Sequence, residues 1–153
     1  MLPGVRAISA SATIRAPLER VWSILADTAR YREWSPFLVD VEGRIAVGET
    51  VTLVVAMHPG RAPIRQRETI RRWDENHEIR WGMVMGHRRV LAAERVQRLT
   101  RISADETSYE TSDEFVGLLV PLVFALYREK IQAGFDATAH ALKARAESAD
   151  DGI

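Results

Sequence analysis

Hydrophobic positions along this chain change period twice, and the changes mark out its elements. From Val5 to Arg15 apolar and small polar residues alternate weakly in a stretch rich in Ala, Ser, Thr and Ile, a strand pattern. Helical spacing then takes over at Leu18, Val21, Trp22 and Leu25, up to Ala26. Pro17 stands where a first helical turn has no use for an N–H. Asp27 and Thr28 suit the cap of a second short helix through Trp34, stopped by Ser35-Pro36.

Five or six strand-like runs follow, over Phe37–Arg44, Glu49–His58, Ala62–Trp73, His77–Met85, Arg88–Ile102 and Thr107–Val116. Turns as short as Ala46-Val47-Gly48, Asp74-Glu75-Asn76 and Ser103-Ala104-Asp105-Glu106 join neighbours, which predicts an antiparallel meander rather than crossover connections. Gly82 and Gly86 fall where a break or strong curvature is expected. The period becomes helical again from Leu119 to Ala146, with Phe124, Ile131, Phe135, Thr138 and Leu142 on one stripe. Such a helix is ~40 Å long. The expected fold class is α+β: a curved antiparallel sheet of about seven strands, two short helices after strand one, and a long C-terminal helix. Residues 1–147 are expected to form one domain and 148–153 a frayed tail.

Alternation also assigns faces. Ile79 and Trp81 point inward and bring Met83 and Met85 with them. Val51, Leu53, Val55 and Met57 form the apolar set of their run. Ile64 and Ile70 carry Gln66 and Glu68 to the inner face, leaving Arg65, Arg67, Arg71 and Arg80 outside. If Leu99 lies opposite Tyr109, antiparallel counting sets Gln97 opposite Thr111 and Arg95 opposite Asp113. A single bulge would turn Glu94 and Val96 inward instead. Trp34 and Phe37 leave the short helices where a cavity entrance would be; Trp22 belongs to the core.

Composition narrows the chemistry. The 153 residues carry 21 basic and 21 acidic side chains and no cysteine, so disulfides, thiolate metal sites and thiol nucleophiles are excluded. The start, Met1-Leu2-Pro3-Gly4-Val5-Arg6, does not resemble a signal peptide, and no apolar stretch approaches the ~20 residues of a membrane span. A cytoplasmic protein is the expectation. His58, His77, His87 and His140 are scattered without ligand spacing, so no metal and no cofactor are expected. His58 and His87 lie at strand ends and could meet at one rim. No Gly-x-Ser-x-Gly elbow or phosphate-binding glycine loop occurs.

Several pieces together resemble the START-like (SRPBCC) superfamily, and within it the polyketide cyclase/dehydrase and lipid-transport family. They are Ile14-x-Ala16-Pro17-x-x-x-Val21-Trp22, Tyr31-x-Glu33-Trp34-x-Pro36-Phe37, Ile79-x-Trp81, Phe115-x-Gly117-Leu118-Leu119, and Gly134-Phe135 with Ala141-Leu142-Lys143. The resemblance implies a helix-grip fold with a ligand cavity between sheet and long helix. It spans aromatic polyketide cyclases, lipid and sterol carriers, coenzyme-Q-binding proteins and stress-response modules, so it does not choose an activity. The family tends to carry His and Glu where this chain has Arg95 and Asp113.

The chain therefore reads as a container before a catalyst: a carrier for a small hydrophobic molecule (lipid, isoprenoid or aromatic polyketide). The expected binding residues are Trp34, Phe37, Met57, Gln66, Glu68, Trp81, Met83, Arg95, Tyr109, Asp113 and Phe135. The first alternative is a polyketide cyclase or dehydratase drawing on Glu68, Arg95, Asp113 and Tyr109. The second is a ribosome- or stress-related interaction module, supported only by the outer arginines. Nucleic acid is disfavoured because acidic residues interrupt the arginine run and few aromatics accompany it. A homodimer stays open.

Overall fold

The computed structural model describes residues 6–148. Seven strands form one antiparallel sheet in the order β1-β7-β6-β5-β4-β3-β2. They are β1 (Arg6–Ile14), β2 (Leu38–Glu42), β3 (Thr50–Val55), β4 (Ile64–Asp74), β5 (Glu78–Met85), β6 (Leu91–Ser103) and β7 (Glu106–Val116). Between β1 and β2 come α1 (Leu18–Ala26) and a 3-10 helix, Thr28–Glu33; α2 (Val120–Glu147) closes the chain. This is the helix-grip arrangement expected from the sequence, with short helices after strand one and the sheet wrapped around the long helix. The strands are mostly trimmed by one to three residues relative to the hydrophobic runs, because the ladder stops where the chain turns. Of the expected tail, residues 149–153 lie outside the described residues, as do residues 1–5 at the start.

Everything from β2 to β7 is a meander, so each strand lies beside its sequence neighbour; only β1 reaches across to β7. Sequential neighbours joined by short turns need little loop entropy to pair. The outer edge strand β1 would offer unpaired carbonyls, and α2 covers some of them. Gln132 Nε2 donates to the Ser9 carbonyl and Lys143 Nζ to the Thr13 carbonyl, each at 2.8 Å. At the far end Arg20 Nη2 donates to the Ser148 carbonyl at 2.8 Å, which ties the end of α2 to α1.

One irregularity decides which side chains face in. β4 pairs Ile70 with Trp81 but Arg72 with Arg80, so a β-bulge at Arg71 adds one residue. Strict alternation would have carried Arg72 inward. The bulge instead leaves Arg71 and Arg72 outside and aligns Trp73 with Ile79, where Trp73 meets Trp22 edge-on at 6.2 Å between ring centroids. Opposite the bulge, a Cβ on Gly82 would lie 2.8 Å from Arg71 Nε and from the Ala93 carbonyl. Glycine there gives the displaced arginine room to reach Glu94 at 2.9 Å.

The solid part of the core lies under α1 and the C-terminal half of α2. Ile14, Val21, Leu25, Ile70, Ile79, Leu99 and Leu142 are all removed from solvent there. Tyr31 joins them, its hydroxyl donating to the Leu25 carbonyl. Gly117, at φ +118°, makes the turn from β7 into α2; a Cβ there would sit 2.5 Å from the Val90 carbonyl oxygen. Just beyond, the Leu118 and Leu119 N–H groups donate to the Arg89 and Val90 carbonyls.

Candidate functional site

Toward the β5–β6 turn the concave sheet and α2 separate, leaving a cavity of about 340 Å³. Its wall is mainly apolar: Phe37, Leu53, Val55, Met57, Ile64, Trp81, Met83, Met85, Leu91, Phe115 and, from α2, Val123, Tyr127, Ile131 and Phe135. Gln66, Glu68, Arg95 and Asp113 are the polar residues of the lining. The space exists because a curved sheet and a straight helix touch at one end and diverge at the other. Small-molecule sites have this composition, apolar with a few placed polar groups.

The polar members owe their positions to strand register. Trp81 pairs with Arg95, and Arg95 with Asp113, so the three form one row across β5, β6 and β7. No bulge interrupts β6 between Leu91 and Arg101, and Arg95 is only 7 % exposed. Its Nε donates to Thr111 Oγ1 at 3.1 Å, and its guanidinium lies 4.4 Å from the Phe135 ring centroid. A cation stacked on an aromatic face and held by one hydroxyl has a fixed direction.

Arg95 and Asp113 oppose each other, yet no ion pair joins them among the described residues. Three shielded polar atoms of this row, Trp81 Nε1, Arg95 Nη2 and Asp113 Oδ1, have no hydrogen-bond partner. Buried polar atoms are almost always satisfied, so three in one row call for a partner of another kind. The acids feel their surroundings strongly. Burial pushes the Glu68 carboxyl up to about 8, with the Asp113 charge adding to the rise and Arg95 and Arg71 opposing it. Burial also pushes Asp113 up to about 7, against the pull of Arg95. Both residues keep some accessible surface and line the cavity.

Nine of the eleven residues expected at a binding site line this one space: Phe37, Met57, Gln66, Glu68, Trp81, Met83, Arg95, Asp113 and Phe135. Tyr109 stands behind the wall, wholly buried. Its hydroxyl donates to Gln97 Oε1 at 2.6 Å, and burial pushes its pKa up. Trp34 is elsewhere: it packs edge-on against Tyr31 and borders a separate surface hollow with Arg20, Asp27 and Arg145. The 3-10 helix ends in a turn that directs Trp34 away from the cavity while the next aromatic, Phe37, enters it. Sequence reasoning did not name Tyr127, Ile131 and Val123 as lining; their helical stripe marked them only as apolar.

The outer face is different in kind. Arg65 pairs with Glu42, Arg71 with Glu94, and Arg80 with both Glu78 and Glu94. Glu78, 1 % exposed, is held by Arg72, Arg80 and Arg98. The arginine run is thus largely neutralised, which weakens the case for a nucleic-acid surface. His58 contacts Lys130, while His87 Nδ1 accepts the Arg89 N–H. Among the described residues no group of three or more His, Asp or Glu could hold a metal ion, and no helix is long and apolar enough to cross a membrane.

The sequence profile of the family described as polyketide cyclase / dehydrase and lipid transport matches residues 6–147. The chain belongs to this family. It lies within the START-like (SRPBCC) superfamily, and solved relatives share its fold. The ZhuI aromatase/cyclase from Streptomyces sp. R1128 is 20% identical, covering 97% of this chain and 99% of that one with a TM-score of 0.74. Norcoclaurine synthase from Thalictrum flavum, solved as a point mutant with a transition-state analogue, is 17% identical over 92% of each chain, TM-score 0.67. A START superfamily protein from Mycobacterium smegmatis is 20% identical, covering 92% of this chain and 97% of that one, TM-score 0.66. Among curated proteins none matches. The fold of this family encloses a small hydrophobic molecule, in binding proteins and in enzymes alike.

Proposed function

We propose that this family member is an acid–base enzyme acting on a small polyketide-like carbonyl compound, by cyclisation or dehydration. The observation that carries the reading is the pair of carboxyls, Glu68 and Asp113, raised to about 8 and about 7 on the wall of an apolar cavity. A carboxyl in the neutral range can both give and take a proton, and two held at different values divide the roles. Their titrations are coupled, so the two values belong to the pair. Near neutral pH the pair shares protons, and the more strongly raised Glu68 is the better placed to act as acid and Asp113 as base.

In a dehydration, the Asp113 carboxylate removes the proton α to a ketone and Arg95 stabilises the enolate oxygen. Glu68 then protonates the β-hydroxyl, which leaves as water while the C=C bond forms. In a cyclisation, the same enolate carbon attacks a second carbonyl of the folded chain and Glu68 protonates the resulting alkoxide. The apolar wall supplies the folding: Phe37, Met57, Met83 and Phe135 surround a flexible chain and bring its ends together. Similarity to an aromatase/cyclase and to norcoclaurine synthase supports a catalytic use of this fold; carrier function is the second reading, favoured by the apolar majority of the lining.

A benzylic β-hydroxy ketone, the aldol of benzaldehyde and acetone, is a suitable probe, followed by the ultraviolet absorbance of the conjugated enone. Turnover should show a bell-shaped pH profile. Glu68→Gln and Asp113→Asn should each lower kcat by roughly 10²- to 10⁴-fold, the usual weight of a general acid or base. Turnover indifferent to both substitutions would refute the catalytic reading. Native mass spectrometry showing an apolar molecule retained by both variants, with no turnover in the parent, would favour the carrier.

A further inference from the structure

The row Trp81–Arg95–Asp113 offers two unused donors, Nε1 and Nη2, beside one unused carboxyl oxygen, Oδ1. We propose that this row is the seat of a carboxylate, so that the cavity's aromatic carbonyl ligand also carries an acid group. The inference rests on the proposed function for its substrate family and adds the ionic form of the head group.

Geometry supports it from both ends of the cavity. Arg95 is pinned at Nε by Thr111 and stacked on Phe135, so Nη2 is held in place with nothing to donate to. A carboxylate is the partner that a guanidinium edge accepts best, and the indole N–H on the neighbouring strand adds a second donor. A carboxylate offers a separate oxygen to each donor and the charge that matches Arg95, whereas a neutral amide or ketone brings one oxygen and no charge. Away from the row, and apart from Gln66 and Glu68 on β4, the lining is apolar, which suits a ring system behind the acid. The volume of about 340 Å³ is near the small end of ligand sites and suits one or two fused rings.

Charge balance supports it as well. The charged groups around Arg95 are Glu68 on β4 and Asp113 on β7, with Glu94 and Arg71 on the far face of the sheet. Among the described residues the other polar neighbours are the phenols of Tyr31, Tyr109 and Tyr127 and the neutral Gln66, Gln97 and Thr111. With both acids protonated, the cavity holds a single cation and attracts one anion. As pH rises through about 7 and about 8, Asp113 and Glu68 ionise and repel it. Binding of the acid therefore takes up protons.

The test compares naphthoate with its neutral isostere naphthamide on the full-length protein, by calorimetry in buffers of different ionisation heat. Naphthoate should bind at least about tenfold more tightly near pH 6, the weight of one charge-assisted hydrogen bond. That preference should shrink near pH 9, with proton uptake measurable between. Arg95→Gln should abolish the preference, and Arg95→Lys, which keeps the charge, should retain part of it if the glutamine variant fails to fold. Naphthamide binding as tightly as naphthoate near pH 6, or a preference that survives Arg95→Gln, would overturn the proposal. A parent protein with no naphthoate preference but intact hydroxy-ketone turnover removes this inference alone. The reverse pattern removes the catalytic reading and leaves the acid site standing.

Discussion

Glu68 should make this protein less stable as pH rises, and replacing it should remove that weakness. Its carboxyl has an ordinary value of 4.5 and is lifted to about 8 in the fold, so the folded chain holds a proton that the unfolded chain releases. A group raised in this way contributes nothing adverse below about pH 4.5. It costs progressively more up to about pH 8 and a constant amount beyond. At ~1.4 kcal/mol per pH unit the full rise corresponds to an upper bound of roughly 5 kcal/mol. Sharing protons with Asp113 and relaxation toward the cavity reduce this, and about 2 kcal/mol is the expected size. Glu68→Gln keeps shape and polarity but cannot ionise. Urea denaturation of parent and variant should therefore give similar stabilities near pH 4.5, with the variant gaining about 2 kcal/mol by about pH 9. A stability difference that stays flat across this range, or grows toward acid, would refute the assignment of a desolvated carboxyl at this position.

Further outcomes follow from other residues. Glu78→Gln should destabilise by about 2–4 kcal/mol in thermal melts, because three arginines lose the buried carboxylate they share. Burial alone would raise that carboxyl, but hydrogen bonds from Arg98 and Arg80 outweigh it and the pKa is lowered. Its contribution should accordingly be lost as pH falls through the folded value. Gly134→Ala should destabilise by about 1–3 kcal/mol despite alanine's better helix propensity, since the new methyl would run into the Phe37 ring. Trp34→Ala should leave naphthoate affinity in calorimetry within about twofold of the parent, because Trp34 borders a different hollow; a larger loss would place it at the ligand after all.

The sheet was legible because its physics is periodic. Alternation put Gln66 and Glu68 inward on the strength of Ile64 and Ile70, and one assumed pair, Leu99 with Tyr109, propagated to Arg95 and Asp113 through an uninterrupted ladder. What alternation could not supply was distance. Opposed residues lie close enough to touch, but Arg95 turns to Thr111 and Phe135, and the Asp113 carboxyl is left without it. Glu78 is a second case. On an outer face it reads as solvated, yet the stems and heads of Arg72, Arg80 and Arg98 close over it, a tertiary effect with no local signature. The bulge at Arg71 was equally silent, since a run of Arg71-Arg72-Trp73 does not reveal which residue is the extra one. Trp34 failed for a related reason: within an irregular turn there is no period to assign a direction.

That one extra residue in β4 divides the labour of the molecule. On its C-terminal side Trp73 pairs with Ile79 and meets Trp22 of α1, all within the hydrophobic core. On its N-terminal side Glu68 and Gln66 open onto empty space. A single strand thus runs from a foundation into a chamber, and the phase change at Arg71 is the partition between them. Substitutions in the chamber disturb few of the contacts that hold the foundation together. A lineage could therefore exchange Met57, Met83 or Gln66 to suit a new ligand while the folded framework stays in place. The scaffold is built to be refurnished from within.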